Sequence, residues 1–211
     1  MTTKTQVTSN AGGVIQLPEP RRDSPTSIES VLWRRRSVRE FDNQPLALPA
    51  VSQLLWAAQG MTDPTRKRTA PSAGALYPLE VFLVAGTVAE LPAGVYRYRP
   101  EGHDLLPVAR GDLRAKLATA ALGQDWLAQA PATIVLAAVY ERVARKYRQR
   151  AERYVHMEAG HAGQNVHLQA VALDLGTVVV GAFDDAEVKH VLSLAANEEP
   201  LYLMPLGKPR S

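Results

Sequence analysis

Three stretches of this chain combine residue types that can do chemistry. Arg34-Arg35-Arg36-Ser37-Val38-Arg39 gathers guanidinium forks and a hydroxyl in one short segment. Such a set suits a phosphate monoester, because each fork meets two oxygens at once. In an extended stretch Arg35, Ser37 and Arg39 share one side. The same arginines at a helix C-terminus would equally be a solvated end favoured by the helix dipole. Lys146-Tyr147 lies inside the basic run from Glu141 to Arg150. Neighbouring cations favour a lysine's neutral, basic form, and a tyrosine beside it can donate or orient a proton. A solvated basic face is the competing reading. The third stretch, Arg68 to Pro78, holds small residues between Pro71 and Pro78, so its backbone can approach a flat ligand closely.

Other chemistries are excluded or left without support. There is no cysteine, which removes disulfide frameworks, thiolate zinc sites, iron–sulfur clusters and a cysteine nucleophile. Glu158 stands three residues before His161, and Glu187 three before His190. That spacing imitates a carboxylate-bridged metal pair, but the further inward glutamates on partner helices are missing. His156, His161 and His167 are therefore read as surface or packing residues, with no metal. The sequence has no dinucleotide-binding glycine fingerprint, no P-loop and no serine-hydrolase elbow. With 24 Lys+Arg against 21 Asp+Glu the net charge is only +3, so anion binding must come from local clusters and not from the whole surface.

The elements that must position these groups follow from periodicity. The 211 residues, 46% hydrophobic and 21% charged, are enough for one well-buried core. No run approaches the roughly 18 apolar residues of a membrane helix, and the chain is expected to be soluble and cytoplasmic, with no membrane or nucleic-acid partner. Residues 1–24 read as a flexible arm and 25–211 as a single domain. A capping box at Thr26 to Glu29 opens a helix running into Arg34-Arg35-Arg36. Pro49 to Gly60 and Asp112 to Leu122 are further helices. Leu79 to Ala85 and Ala132 to Tyr140 read as buried strands, and Val95 to Tyr98 as an edge strand or hairpin arm. Val143 to Leu175 predicts one long helix, with an interruption near Gly160 and Gly163. Thr177 to Phe183 is a strand, Asp184 to Leu194 a helix capped by Asp184 or Asp185, and Leu201 to Leu206 a final strand. About five strands mixed with five or six helices make an α+β or α/β domain, its strands sandwiched by helices.

Five blocks, in order, resemble the nitroreductase family: Arg35 to Phe41, Pro71 to Glu80, Glu158 to Asn165, Gly176 to Phe183 and Met204 to Pro209. The likeness extends over Ser27 to Pro209 and is greater to the SagB/ThcOx-type dehydrogenase branch, whose Lys-Tyr signature Lys146-Tyr147 matches. The resemblance implies an α+β fold with a mixed sheet between helices, noncovalent FMN, and a homodimer with two flavin sites at the subunit interface. By motif match, Arg35, Arg36, Ser37 and Arg39 would face the FMN, and Pro71, Ser72, Ala73 and Leu76 the flavin of the other subunit. Val180, Gly181 and Ala182 would present backbone to the ring, with Lys208 or Arg210 at the phosphate. Lys146 and Tyr147 would take a proton from an azoline-like, small or peptide-derived substrate as hydride leaves. An NAD(P)H-dependent reductase of nitroaromatics or quinones is the rival on the same scaffold. A noncatalytic nucleic-acid module using residues 142–153 is the rival from another class.

Overall fold

The computed structural model describes residues 13–210. Its strands are β1 (Ile15–Gln16), β2 (Leu79–Ala85), β3 (Gly94–Arg99), β4 (Asp104–Arg110), β5 (Ala132–Ala138), β6 (Gly176–Thr177) and β7 (Glu199–Gly207). They form one sheet in the order β1-β4-β3-β2-β5-β7-β6. The helices are α1 (Ile28–Arg34), α2 (Leu48–Gln59), α3 (Arg114–Ala120), α4 (Trp126–Gln129), α5 (Glu141–Tyr147), α6 (Ala151–Ala172) and α7 (Asp185–Leu192).

Strand alternation explains the layering. Along β2 and β5, Val81, Leu83, Ile134 and Leu136 point into one core with α2 and α6. Their neighbours Phe82, Val84, Val135 and Ala137 point into a second core with α3, α4 and α7. Successive strand residues face opposite ways, so a strand apolar at every position must be covered on both faces. Each fully buried Leu, Ile or Phe contributes about 1.5–3 kcal/mol relative to exposure. The α+β sandwich expected from the sequence is the observed one. The sheet is antiparallel at every named strand pairing, and parallel pairing is confined to the single bridges Ser37↔Thr177 and Leu46↔Val88. The expected mixed sheet is corrected to that extent.

Several local expectations are also corrected. The arm read as flexible falls partly at residues 1–12, outside the described residues. From residue 13 on it is docked: Ile15 pairs with Leu105, Ile15 and Leu17 are buried, and the Pro18 carbonyl accepts the Ser52 hydroxyl. The α1 cap is Ser27, whose hydroxyl accepts from the Ser30 amide at 3.2 Å, one residue later than the Thr26 box. Val95 to Tyr98 belongs to β3, which is interior, between β2 and β4; β4 itself had no clear alternation because Pro107 interrupts it. The strand expected at Thr177 to Phe183 shrinks to Gly176–Thr177 plus a bridge from Val180 to Leu203.

The long helix breaks, but elsewhere than at its glycines. Gly160 and Gly163 sit inside α6, where the roughly 1 kcal/mol propensity cost of each glycine is outweighed by burial of Val155, Ala159, Ala162 and Val166. The interruption falls at Arg148, with φ 48° and ψ −121°, between α5 and a 3₁₀ turn over Arg148–Arg150. No proline or glycine announces it.

Candidate active site

The loop between α2 and β2 and the end of α5 meet at Gly74. A Cβ built there would lie 2.9 Å from both Lys146 Nζ and Tyr147 Oη. The φ of 65° at Gly74 is the reason glycine fits here, and the two atoms are the ends of side chains that reach the loop. Ala75 and Tyr77 also have positive φ, 54° and 46°. Arg148, immediately after the Lys-Tyr pair, has a positive φ as well, 48°. Lys146 Nζ stands 5.4 Å from the centre of the Tyr147 ring, and Tyr154 packs edge-on against the same ring at 5.0 Å. Arg142, one turn before Lys146 on α5, donates to the Tyr77 carbonyl at 3.0 Å and pairs with Glu80. This part of the basic run is tied to the loop and is not simply solvated. A cavity of about 550 Å³ opens beside it, lined in part by Leu76, Tyr77 and Arg142, within the usual range for a small-molecule site.

Beneath the loop lies a ring of polar contacts built on Glu158, which is 2% exposed. Gln59, at the end of α2, donates from Nε2 to Glu158 at 3.4 Å and accepts from Arg68 Nη1 at 3.1 Å. The Arg68 guanidinium stacks 4.5 Å over the Tyr77 ring. The Tyr77 amide donates to Ser72 Oγ at 2.9 Å, and the Ser72 hydroxyl lies close enough to the Glu158 carboxyl to favour its charged form. Burial pushes Glu158 up to about 7, against the opposing pull of Ser72, Gln59 and the Arg68 charge. The Ser72 hydroxyl, expected to face a cofactor, accepts the Tyr77 amide; Ser72 is partly exposed, as are Ala73 and Leu76, while Pro71 and Gly74 are exposed. Sequence reasoning took Glu158 only as half of a metal-like pair. The signal was its place on the apolar stripe of α6, between Val155 and Ala162, where a carboxylate must have polar partners.

The arginine cluster is assembled by pairing between distant segments. The Val38 amide donates to the Thr177 carbonyl at 2.9 Å, Asp42 to Lys208 at 2.9 Å, and Arg210 to Glu40 at 3.1 Å. Arg35, Ser37, Arg39, Lys208 and Arg210 therefore share one region. Arg39 lies 5.8 Å over the Trp126 ring. Gln124, two residues before Trp126, donates to the Ala182 carbonyl at 2.9 Å, which brings Val180, Gly181 and Ala182 to the same side. Not every cation points outward. Arg36 folds back onto the Trp33 and Arg35 carbonyls at 3.0 and 2.7 Å, as a helix-end arginine does, and Arg210 donates to the Phe41 carbonyl at 3.2 Å. Lys208 is exposed. Thr177 Oγ1 is buried without a hydrogen-bond partner, directly across the bridge from Ser37. Of the histidines, His156 bonds Tyr140 at 2.6 Å, His161 and His190 are exposed, and His167 is buried near Arg35, both effects pulling it down to about 4.

Two groups of residues result: the Gly74, Lys146 and Tyr147 group, and the Arg35 to Arg39 group with its C-terminal neighbours. Among the described residues no hydrogen bond joins them directly.

Comparison with known proteins places the chain as a whole. The Nitroreductase family matches residues 32–208. A protein of Methanocaldococcus jannaschii carrying a provisional nitroreductase name is 46% identical over 194 residues, 92% of this chain and 96% of that one. The crystal structure of a provisionally named nitroreductase from Ralstonia eutropha JMP134 superposes with a TM-score of 0.83 at 35% identity, covering 94% of this chain and 90% of that one. The Escherichia coli microcin synthetase McbBCD complex, with truncated pro-MccB17 bound, contains a chain matching at TM-score 0.73 and 29% identity, over 82% of this chain and 68% of that one. With the family matched over most of its length, the chain belongs to the nitroreductase family of oxidoreductases.

Proposed function

We propose that this chain is an FMN-dependent oxidoreductase of the SagB/ThcOx type that oxidises an azoline-like heterocycle or a related small substrate. The observation that carries the reading is that Lys146 Nζ and Tyr147 Oη both lie 2.9 Å from the point where a Cβ on Gly74 would stand, which sets a base and a proton donor against a loop able to lie along a flat ring. The likeness to a chain of the microcin synthetase complex supports it.

The residues present fit FMN. Arg35, Arg39 and Lys208 supply charge-assisted donors for a phosphate or a charged ring edge. Ser37 lies exposed across from the partnerless Thr177 hydroxyl, and Gly181 has open space where a Cβ would stand. When bound, FMN supplies the two-electron acceptor for a hydride. Lys146 Nζ takes the proton that the heterocycle must lose as its C–H hydride departs, Tyr147 Oη orients that transfer, and Arg39 is the cation suited to steadying negative charge on the reduced ring.

Both groups are needed at one site, yet they lie apart in one protomer, which supports a homodimer whose site takes Arg35 to Arg39 from one chain and Gly74, Lys146 and Tyr147 from the other. The provisional nitroreductase names of two relatives favour the rival reading, an NAD(P)H-dependent reductase. Purified protein should carry the spectrum of oxidised flavin. Anaerobic mixing with a peptide-borne azoline should bleach it, and NADPH should not; rapid bleaching by NADPH and none by the azoline would select the reductase instead.

A further inference from the structure

We propose that Glu158 is the positioning residue of the loop from Arg68 to Pro78: by holding the Ser72 hydroxyl and, through Gln59, the Arg68 guanidinium, it keeps Gly74 against Lys146 and Tyr147. Its importance for catalysis rests on the reading of that pair given above; the positioning itself does not.

The polar ring closes on Glu158 from both sides of the loop. One path runs through Ser72 to the Tyr77 amide, and the other through Gln59 and Arg68 to the Tyr77 ring. Both clamp the backbone on either side of Gly74, and Asn165, two turns along α6, fixes the loop's start by donating to the Thr69 carbonyl at 3.2 Å. Neither path involves Lys146 or Tyr147, so the ring fixes the wall they face and not the pair itself. The charged group acting on Glu158 is Arg68, which in turn feels Glu101, Glu80 and Tyr77; Gln59 and Ser72 are neutral donors. Glu158 is ordinarily ionised above the carboxylate range, but here burial holds the proton to about pH 7. Opening the loop readmits water to the carboxyl and returns it toward its usual value. By linkage, the closed loop binds the proton more tightly than the open one, so it is held shut at low pH and loosens as pH rises through about 7.

Hydrogen exchange read by mass spectrometry on the whole protein, at pH 5 and pH 8 and corrected for the intrinsic pH dependence of exchange, tests this without any substrate. Protection of the Ser72 to Tyr77 amides should fall at least about tenfold from pH 5 to pH 8 in the wild type, while E158Q, always neutral and nearly isosteric, keeps the pH 5 value at both. E158A should be as open at pH 5 as the wild type is at pH 8, with β2 and β5 amides unchanged. The same pH dependence in wild type and E158Q would overturn the proposal, as would wild-type protection in E158A. If E158A does not fold, the comparison with E158Q decides alone. A Lys146→Ala, Tyr147→Phe double variant should exchange like the wild type, so an error in the assigned chemistry leaves this result standing.

Discussion

Glu158 and His167 leave α6 on opposite faces. They are nine residues apart (167 − 158), which at 3.6 residues per turn is two and a half turns and about 13.5 Å along the axis. Glu158 lies under the Ser72 loop and His167 beside Arg35. One helix thus separates the two groups of candidate residues within a protomer and bears a buried titratable side chain toward each.

The pair should give opposed pH dependences of stability. Glu158 is raised to about 7 in the fold, so its contribution is complete below about pH 4.5 and is lost as pH rises to about 7. His167 is depressed to about 4, so its contribution is present above about pH 6.5 and is lost as pH falls toward 4. Each is worth on the order of 3 kcal/mol across its window. Between pH 4.5 and 6.5 the two slopes cancel in the wild type. Denaturant titrations should find E158Q gaining stability with pH over that interval and His167→Gln losing it; parallel profiles for all three proteins would count against both assignments.

Gly74→Ala places a methyl at a φ of 65° and 2.9 Å from Lys146 Nζ and Tyr147 Oη. The left-handed conformation costs an alanine about 1–2 kcal/mol, or a Tm lower by roughly 2–8 °C for a chain of this size. The displaced pair should slow turnover well beyond that. Calorimetry with a turnover assay checks it, and a variant with normal rates would separate the pair from the chemistry.

Arg35→Ala should weaken FMN binding by about 1.5–3 kcal/mol, the scale of a charge-assisted hydrogen bond, which is roughly ten- to over a hundredfold. Arg36→Ala, whose side chain caps its own helix end, should leave affinity within about twofold, since exposed substitutions away from a site have small effects. Flavin fluorescence titration compares them; equal losses would mean that Arg36 swings outward to bind.

Lys146→Ala combined with Tyr147→Phe should leave flavin loading and assembly intact and lower turnover by about 100-fold or more, as loss of a general acid–base group does. Stopped-flow reduction by an azoline at matched flavin loading measures it. Unchanged rates would return the pair to a solvated face.

The central strands β2, β5 and β7 and several helices were legible because their signals are local. Leu79–Ala85 matches the apolar run residue for residue, and Asp184 caps α7 through the Glu187 amide as its position suggested. What was not legible depends on tertiary contact. Ile15–Gln16 becomes a strand only because β4 offers it an edge. The break at Arg148 comes without a helix breaker in the sequence. At the candidate site, Lys146, Tyr147 and the small-residue loop were each visible, but their meeting at Gly74 was not. Gln59 carried no motif at all, since its role exists only once it bridges Glu158 and Arg68.

The central claim, a site shared between two chains, is tested most directly by mixing two impaired variants, Arg35→Ala and the Lys146→Ala, Tyr147→Phe double variant, at an FMN concentration that leaves Arg35→Ala without flavin, and exchanging their subunits. In a mixed dimer both lesions fall in one site and leave the other whole. Equal mixing should therefore restore about a quarter of wild-type flavin-dependent turnover, because half of the dimers are mixed and each keeps one of two symmetric sites. Turnover no greater than the average of the two variants after exchange is complete would contradict the account, because it would mean that each site is built within a single chain.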